Sequence, residues 1–251
     1  MYYLRWSVYW RTIVTTALVA KYPDYEAFLK LFRRYYYINW IAGNTLSKIK
    51  QTSFNLIGHL KKHEPIEFIN SELEKHLQDD TIDRAVKNLN GDIYFEAWCK
   101  PLLFMIEYNQ QDNPPYFAME DRTIQTEHIL PRAYEKNEDW AFAKEIPDID
   151  DWINSGANLT LLSGSKNLDA RHYKFDIKVK AYDATGFEDV KDTKITSFNI
   201  TQKIVNDYNS NKFNKEWNVD AINNRWIWFC NQVEKILEID LTVNKSTLLD
   251  K

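Results

Sequence analysis

The sequence predicts a mostly α-helical chain with one small embedded unit of two short strands and a helix, an α+β protein overall. Three observations predict it. Turn-makers are scarce, with 6 Gly and 7 Pro in 251 residues, which disfavours a many-stranded β fold. Apolar residues recur at helical spacing through most of residues 1–110 and again towards the end of the chain. Only two short runs, 123–129 and 158–162, read as strands. With 44% hydrophobic and 27% charged residues, the chain has an ordinary globular balance and enough length for one large core or two small ones.

Each element has a local reason. Asp24 is placed to cap a helix from Tyr25, with Phe28, Leu31, Phe32 and Tyr35 at helical spacing. Gly43-Asn44 breaks that pattern, and a second helix is predicted over Thr45–Leu60. Pro65 suits the first turn of a third, which carries Ile66, Ile69, Leu73 and Leu77 on one face. Asp92 is placed to open another, with Tyr94, Trp98, Leu102 and Met105, and Pro101 is expected to kink it. Asn113-Pro114-Pro115 is the clearest breaker and closes a helical subdomain at residues 1–115. Residues 116–185 hold the strand Thr123–Ile129, ended by Pro131, an acidic stretch with a loop near Pro147, and the strand Asn158–Leu162. The turn Ser163-Gly164-Ser165 then offers a cap to a helix over 166–182. Residues 186–251 read as a polar connection and helices that pack on the central part. The last helix runs from about Asp220 to Leu237, with Ile222, Trp226, Phe229, Val233 and Ile236 on one face.

The formal net charge of −4 excludes a nucleic-acid signature spread over the whole chain. The charge is uneven, however. Between Lys166 and Lys180 five bases (Lys166, Arg171, Lys174, Lys178, Lys180) meet two acids (Asp169, Asp176). Any nucleic-acid surface is local, like this one. Cys99 and Cys230 have no Cys-x-x-Cys partner, which excludes a cysteine zinc knuckle, and their apolar surroundings suit reduced, buried thiols. No apolar run reaches membrane-spanning length, so the expectation is a cytoplasmic chain with no membrane partner.

The chemistry concentrates in residues 127–167. Glu127-His128-Ile129-Leu130-Pro131 ends the first strand. Asn158-Leu159-Thr160-Leu161-Leu162 forms the second, and Asn167 follows nine residues after Asn158. Phosphodiester hydrolysis needs a deprotonated water, charge neutralisation on the phosphate and help for the leaving oxygen. A carboxylate and an asparagine carbonyl are hard ligands suited to Mg²⁺ or Mn²⁺, which keeps several waters of its own. A neutral imidazole suits the role of base. If one helix covers 166–182, Asn167, Arg171, Lys174 and Lys178 fall within about 60° of one another at about 100° per residue. Leu168, His172, Phe175, Val179 and Tyr182 then form an apolar stripe towards the core. Alone, the basic stripe also reads as an ordinary solvated face. Arg33-Arg34 beside Tyr35-Tyr36-Tyr37, with Lys48 and Lys50, reads either as part of a nucleic-acid groove or as a helix surface.

The acid–histidine pair, the two asparagines and their spacing resemble the HNH nucleases, the ββα-metal or His-Me finger group. More specifically, the chain resembles the C-terminal domain of GmrSD-type restriction endonucleases. The likeness extends to Tyr108 and Asn113-Pro114-Pro115 before the motif, to Phe175, Lys178 and Tyr182 after it, to Trp217, Ile222 and Arg225, and to Trp40-Ile41-Ala42-Gly43 with Ser47-Lys48-Ile49-Lys50. The resemblance implies a ββα-metal motif at 116–185 and an endonuclease that nicks or cuts DNA with one Mg²⁺ or Mn²⁺ ion in a restriction or anti-phage defence system. It implies Glu127 and Asn167 as metal ligands, His128 as general base and Asn158 as the residue that holds the loop and orients the histidine. Arg171, Lys174 and Lys178 are the expected nucleic-acid contacts. The resemblance also implies a preceding nucleotide-binding regulatory domain, since no phosphate-cradling Gly-rich loop occurs here. Two other readings stay open: a DNA- or protein-binding module with a degenerate site, and an RNA-directed nuclease with the same metal chemistry.

Overall fold

A computed structural model of the chain describes residues 5–78, 80–110, 123–163, 170, 173–183 and 198–241. The chain divides into two compact units, residues 1–89 with 237–240 and residues 90–236 with 241–251. The architecture is mostly α with a small sheet, as predicted. The breaker at Asn113-Pro114-Pro115 lies outside the described residues.

The first unit is built from α1 (Ser7–Val19), α2 (Tyr25–Ile41), α3 (Leu46–Lys62), α4 (Ile66–Leu77) and α5 (Thr81–Leu89). Helix α2 is its centre. Its apolar and aromatic residues Phe28, Phe32, Tyr35, Tyr36, Tyr37, Ile38, Trp40 and Ile41 are all buried. Helix α4 presents Ile69, Leu73 and Leu77 to the core, the stripe its spacing predicts. The groove considered around Arg33-Arg34 and the three tyrosines is core instead. Arg34 is buried, pairs with Glu74 of α4 and donates from Nε to the Leu237 carbonyl at 2.7 Å. Tyr36 shares a 2.7 Å hydroxyl bond with Ser53 of α3.

The second unit contains α6 (Cys99–Tyr108), β1 (Ile124–His128), the single turn α7 (Asp150–Ile153), β2 (Leu159–Ser163), α8 (Phe175–Asp183), α9 (Asn199–Asn209) and α10 (Val219–Leu237). Strands β1 and β2 pair antiparallel, with Glu127 opposite Thr160 and His128 opposite Leu159. Helix α9 is fastened to β2, where Thr201 Oγ1 meets Thr160 Oγ1 at 2.8 Å and donates to the Leu161 carbonyl. The buried Glu107 carboxylate of α6 accepts the backbone N–H of Asn199 and of Ile200, both at 2.9 Å, and so caps the positive end of α9. Cys99 and Cys230 are buried, and burial pushes the Cys99 thiol up to about 12.

Two local expectations are corrected. Asp92 does not open a helix: α6 begins at Cys99. Pro101 is therefore its third residue. The missing N–H of a proline costs nothing in a first turn, so no kink is required. Helix 166–182 is not continuous either. Residues 173–174 are non-helical, and α8 starts at Phe175. Among the described residues no helix is long and apolar enough to cross a membrane.

Candidate active site

The pinning of β1 to the segment before β2 is the framework of the site. Asn158 is buried and directs its whole amide at its neighbours. Its Oδ1 accepts the Leu130 N–H at 2.7 Å and the Trp217 indole N–H at 3.2 Å. Its Nδ2 donates to the Leu130 carbonyl at 2.8 Å and to the Ile153 carbonyl at 2.9 Å. Both donors are thus used, and the oxygen accepts two bonds. The Ile129 N–H donates to the Asn158 carbonyl at 3.0 Å, so the strand pairing continues one step past His128. Pro131, which has no N–H to donate, ends it. Two residues earlier, Gly156 lies against Phe229 of α10. A Cβ there would meet the ring at 2.4 Å, so only glycine lets this segment approach.

The two halves of the acid–histidine pair face different elements, as adjacent residues of a strand do. Glu127 is 5% exposed and turns to α8. Its Oε1 accepts from Lys178 Nζ at 2.7 Å and from the Tyr182 hydroxyl at 3.2 Å. Lys178 Nζ also donates to the His128 carbonyl at 2.6 Å. Burial pushes the Glu127 carboxyl up, and the Lys178 ammonium and Tyr182 hydroxyl oppose that shift. Burial likewise lowers Lys178, with Glu127 opposing. Each charge is costly alone, and the pair is what makes both tolerable.

His128 turns to the other side. Its Nε2 lies 2.9 Å from Asn154 Oδ1, and Tyr94 covers the ring with centroids 4.3 Å apart. Burial lowers the imidazole to about 4, helped by the positive charges of Arg132 and Lys178 and opposed by the Asn154 hydrogen bond. A neutral ring at physiological pH holds one free lone pair, the minimum a proton acceptor needs.

Lys178 is the main correction to the predicted site. It was expected on a cationic stripe with Lys174 and Arg171, in reach of phosphate. Instead it is 1% exposed and bound to Glu127 and the His128 carbonyl. A helical phase that starts at Asn167 does not reach Lys178, because residues 173–174 are non-helical. Lys178 and Tyr182, placed on different stripes, are i and i+4 on one inward face of α8. Lys174 stands just before α8, half exposed and 3.4 Å from Asp176. Asn167 and Arg171 lie outside the described residues, as does His172. Among the described residues there is no cluster of three or more His, Cys, Asp or Glu set to hold a metal. Gly156, Asn154 and the Trp217–Asn158 bond belong to the site without standing out in the motif. Of these only the glycine two residues before an asparagine leaves a legible signal.

The described residues thus bring together a two-stranded antiparallel sheet that ends in Glu127-His128 and an asparagine that ties the turn beyond it. Residues 76–231, more than half of the chain, match the family described as GmrSD restriction endonucleases, C-terminal domain. The chain belongs to that family. No curated protein and no solved structure matches it.

Proposed function

We propose that this chain is a divalent-metal-dependent DNA endonuclease of the HNH type, acting in a restriction system against foreign DNA. The observation that carries the proposal is the state of His128. It is a buried, neutral imidazole at the end of a strand whose next residues are pinned by Asn158, and a buried carboxylate stands beside it in sequence. His128 takes a proton from a water, whose oxygen attacks phosphorus as the bond to the leaving oxygen breaks. The approach of a phosphodiester anion raises the basicity of this ring, because a nearby negative charge favours the imidazolium.

The donor set fits a hard cation. Glu127 offers a carboxylate oxygen, and Mg²⁺ needs few protein ligands because it retains waters; the ion would have to displace the Lys178 ammonium that now occupies Oε1. Glu127 and Asn167 would hold the ion. When bound, the ion would neutralise charge on the phosphate and assist the leaving oxygen. Lys178 and Tyr182 oppose the rise that burial imposes on the Glu127 carboxyl and hold it towards α8, and Lys178 fixes the backbone at His128. Lys174, the exposed base, is the phosphate contact this reading retains from the described residues.

The test is cleavage of supercoiled plasmid with Mg²⁺ or Mn²⁺ by wild type and His128→Ala, with a chelator control. Metal-dependent nicking that the substitution abolishes supports the reading. Wild-type rates in His128→Ala would refute the base assignment.

A further inference from the structure

We infer that Asp92 and Asn154 are positioning residues that fix the tautomer of His128, leaving Nδ1 as the nitrogen that accepts the proton. The inference rests on the reading of His128 as the base and names the device that prepares it.

The argument is one of donors and acceptors. Asn154 Nδ2 donates to Asp92 Oδ2 at 3.0 Å, and Asn154 Oδ1 lies 2.9 Å from His128 Nε2. A carboxylate only accepts, so the amide must present its NH₂ to Asp92. Its oxygen then faces the imidazole, and an oxygen acceptor requires a proton on Nε2. A neutral ring carries one such proton, so the lone pair is on Nδ1. Without Asp92 the amide would be free to turn over, and either tautomer would be satisfied. The proton taken from water stays on Nδ1 and none passes to Asp92. The relay selects and orients.

The relay is held by its own backbone. The Asn154 carbonyl accepts the N–H groups of Ile93 at 3.0 Å and of Tyr94 at 3.2 Å, so the turn that carries Asp92 is strapped to the residue it orients. The same turn supplies Tyr94, whose ring covers the imidazole, and the Arg132 guanidinium lies over both Tyr94 and Phe95. Three side chains distant in sequence thus form one hydrogen-bonded series, Asp92 to Asn154 and Asn154 to a ring nitrogen of His128. All three, Asp92, Asn154 and His128, lie inside the span that matches the family.

The test uses the 251-residue chain labelled with ¹⁵N in its histidine rings. Long-range ¹H–¹⁵N correlation of the metal-free protein reports which ring nitrogen of His128 carries the proton, and the His128→Gln variant assigns the signal. The wild type is expected to show the Nε2–H form. Asn154→Ala is expected to shift to Nδ1–H or a mixture, and to lower kcat for plasmid nicking by at least about 10-fold with KM unchanged, since a positioned base is worth about 10²–10⁴. The exchanged pair Asp92→Asn with Asn154→Asp keeps a donor facing an acceptor and an acceptor facing Nε2, so it is expected to restore the Nε2–H form and most of kcat. A wild-type Nδ1–H signal, or an unchanged signal and kcat in Asn154→Ala, would overturn the relay. If instead His128→Ala cleaves normally, the base reading fails, and the ring signal still reports the tautomer.

Discussion

Replacing Asn158 by alanine probes the lock that shapes the site. The substitution removes two acceptors' donor, leaving the Leu130 and Ile153 carbonyls unpaired. It also removes the one oxygen that serves the Leu130 N–H and the Trp217 indole N–H. Four polar groups lose a partner at a site where Asn158 is 1% exposed. A buried group left unsatisfied costs about 1–3 kcal/mol, so four groups sum to about 4 kcal/mol at the low end. The vacated side chain leaves room for a water that recovers part of this. The expected loss is about 3–5 kcal/mol, a large share of the about 5–15 kcal/mol that holds a domain together. Urea unfolding followed by circular dichroism measures it, with Trp217→Phe as the comparison, since that change removes only one of the four bonds and should cost about 1 kcal/mol. A loss below about 1 kcal/mol for Asn158→Ala would show that the amide is not the lock described here, because even one unsatisfied buried group costs that much.

Three further outcomes are expected. Lys178→Met leaves the Glu127 carboxylate buried without its cation and should cost about 3–5 kcal/mol at neutral pH, while Lys178→Met with Glu127→Gln recovers much of it; equal stability of the single and double variants would refute the pairing. Gly156→Ala drives a methyl into Phe229 and should cost about 1–3 kcal/mol in the same unfolding assay, partly relieved by Phe229→Leu. The His128 imidazole is held at about 4 in the folded chain, against about 6.5 when unfolded, so the unfolded chain binds the extra proton between these values. Its contribution is fully present above about 6.5 and is lost as pH falls towards 4, amounting to about 3 kcal/mol. Stability against pH should therefore fall more steeply in the wild type than in His128→Gln over that window, and parallel curves would contradict it.

Local chemistry was legible wherever a residue acts through its own neighbours. Pro65 before α4, the stripe Ile69, Leu73 and Leu77, and the long last helix all follow from spacing alone, because helical periodicity is set within one or two turns. The two strands were placed within a residue of their observed ends, since Pro131 and the apolar run 159–162 are local signals. Pro101 was misread for the opposite reason. Whether a proline kinks a helix depends on where the helix begins, and α6 begins at Cys99, two residues before Pro101.

By itself, the sequence determined which groups are available: an acid and a histidine ending one strand, an asparagine before the next, and an α+β chain dominated by helices. The tertiary structure alone decided what each group faces. It turned Lys178 inward, because the non-helical residues 173–174 before α8 interrupt the helical phase and because a buried Glu127 requires a cation within reach. It brought Asp92 and Trp217 to His128 and Asn158 through Asn154 and the core, contacts between residues far apart in the chain. Hydrogen-bond partners across such distances follow from packing. No local pattern encodes them, so the residues of the motif could be read in advance and their partners could not.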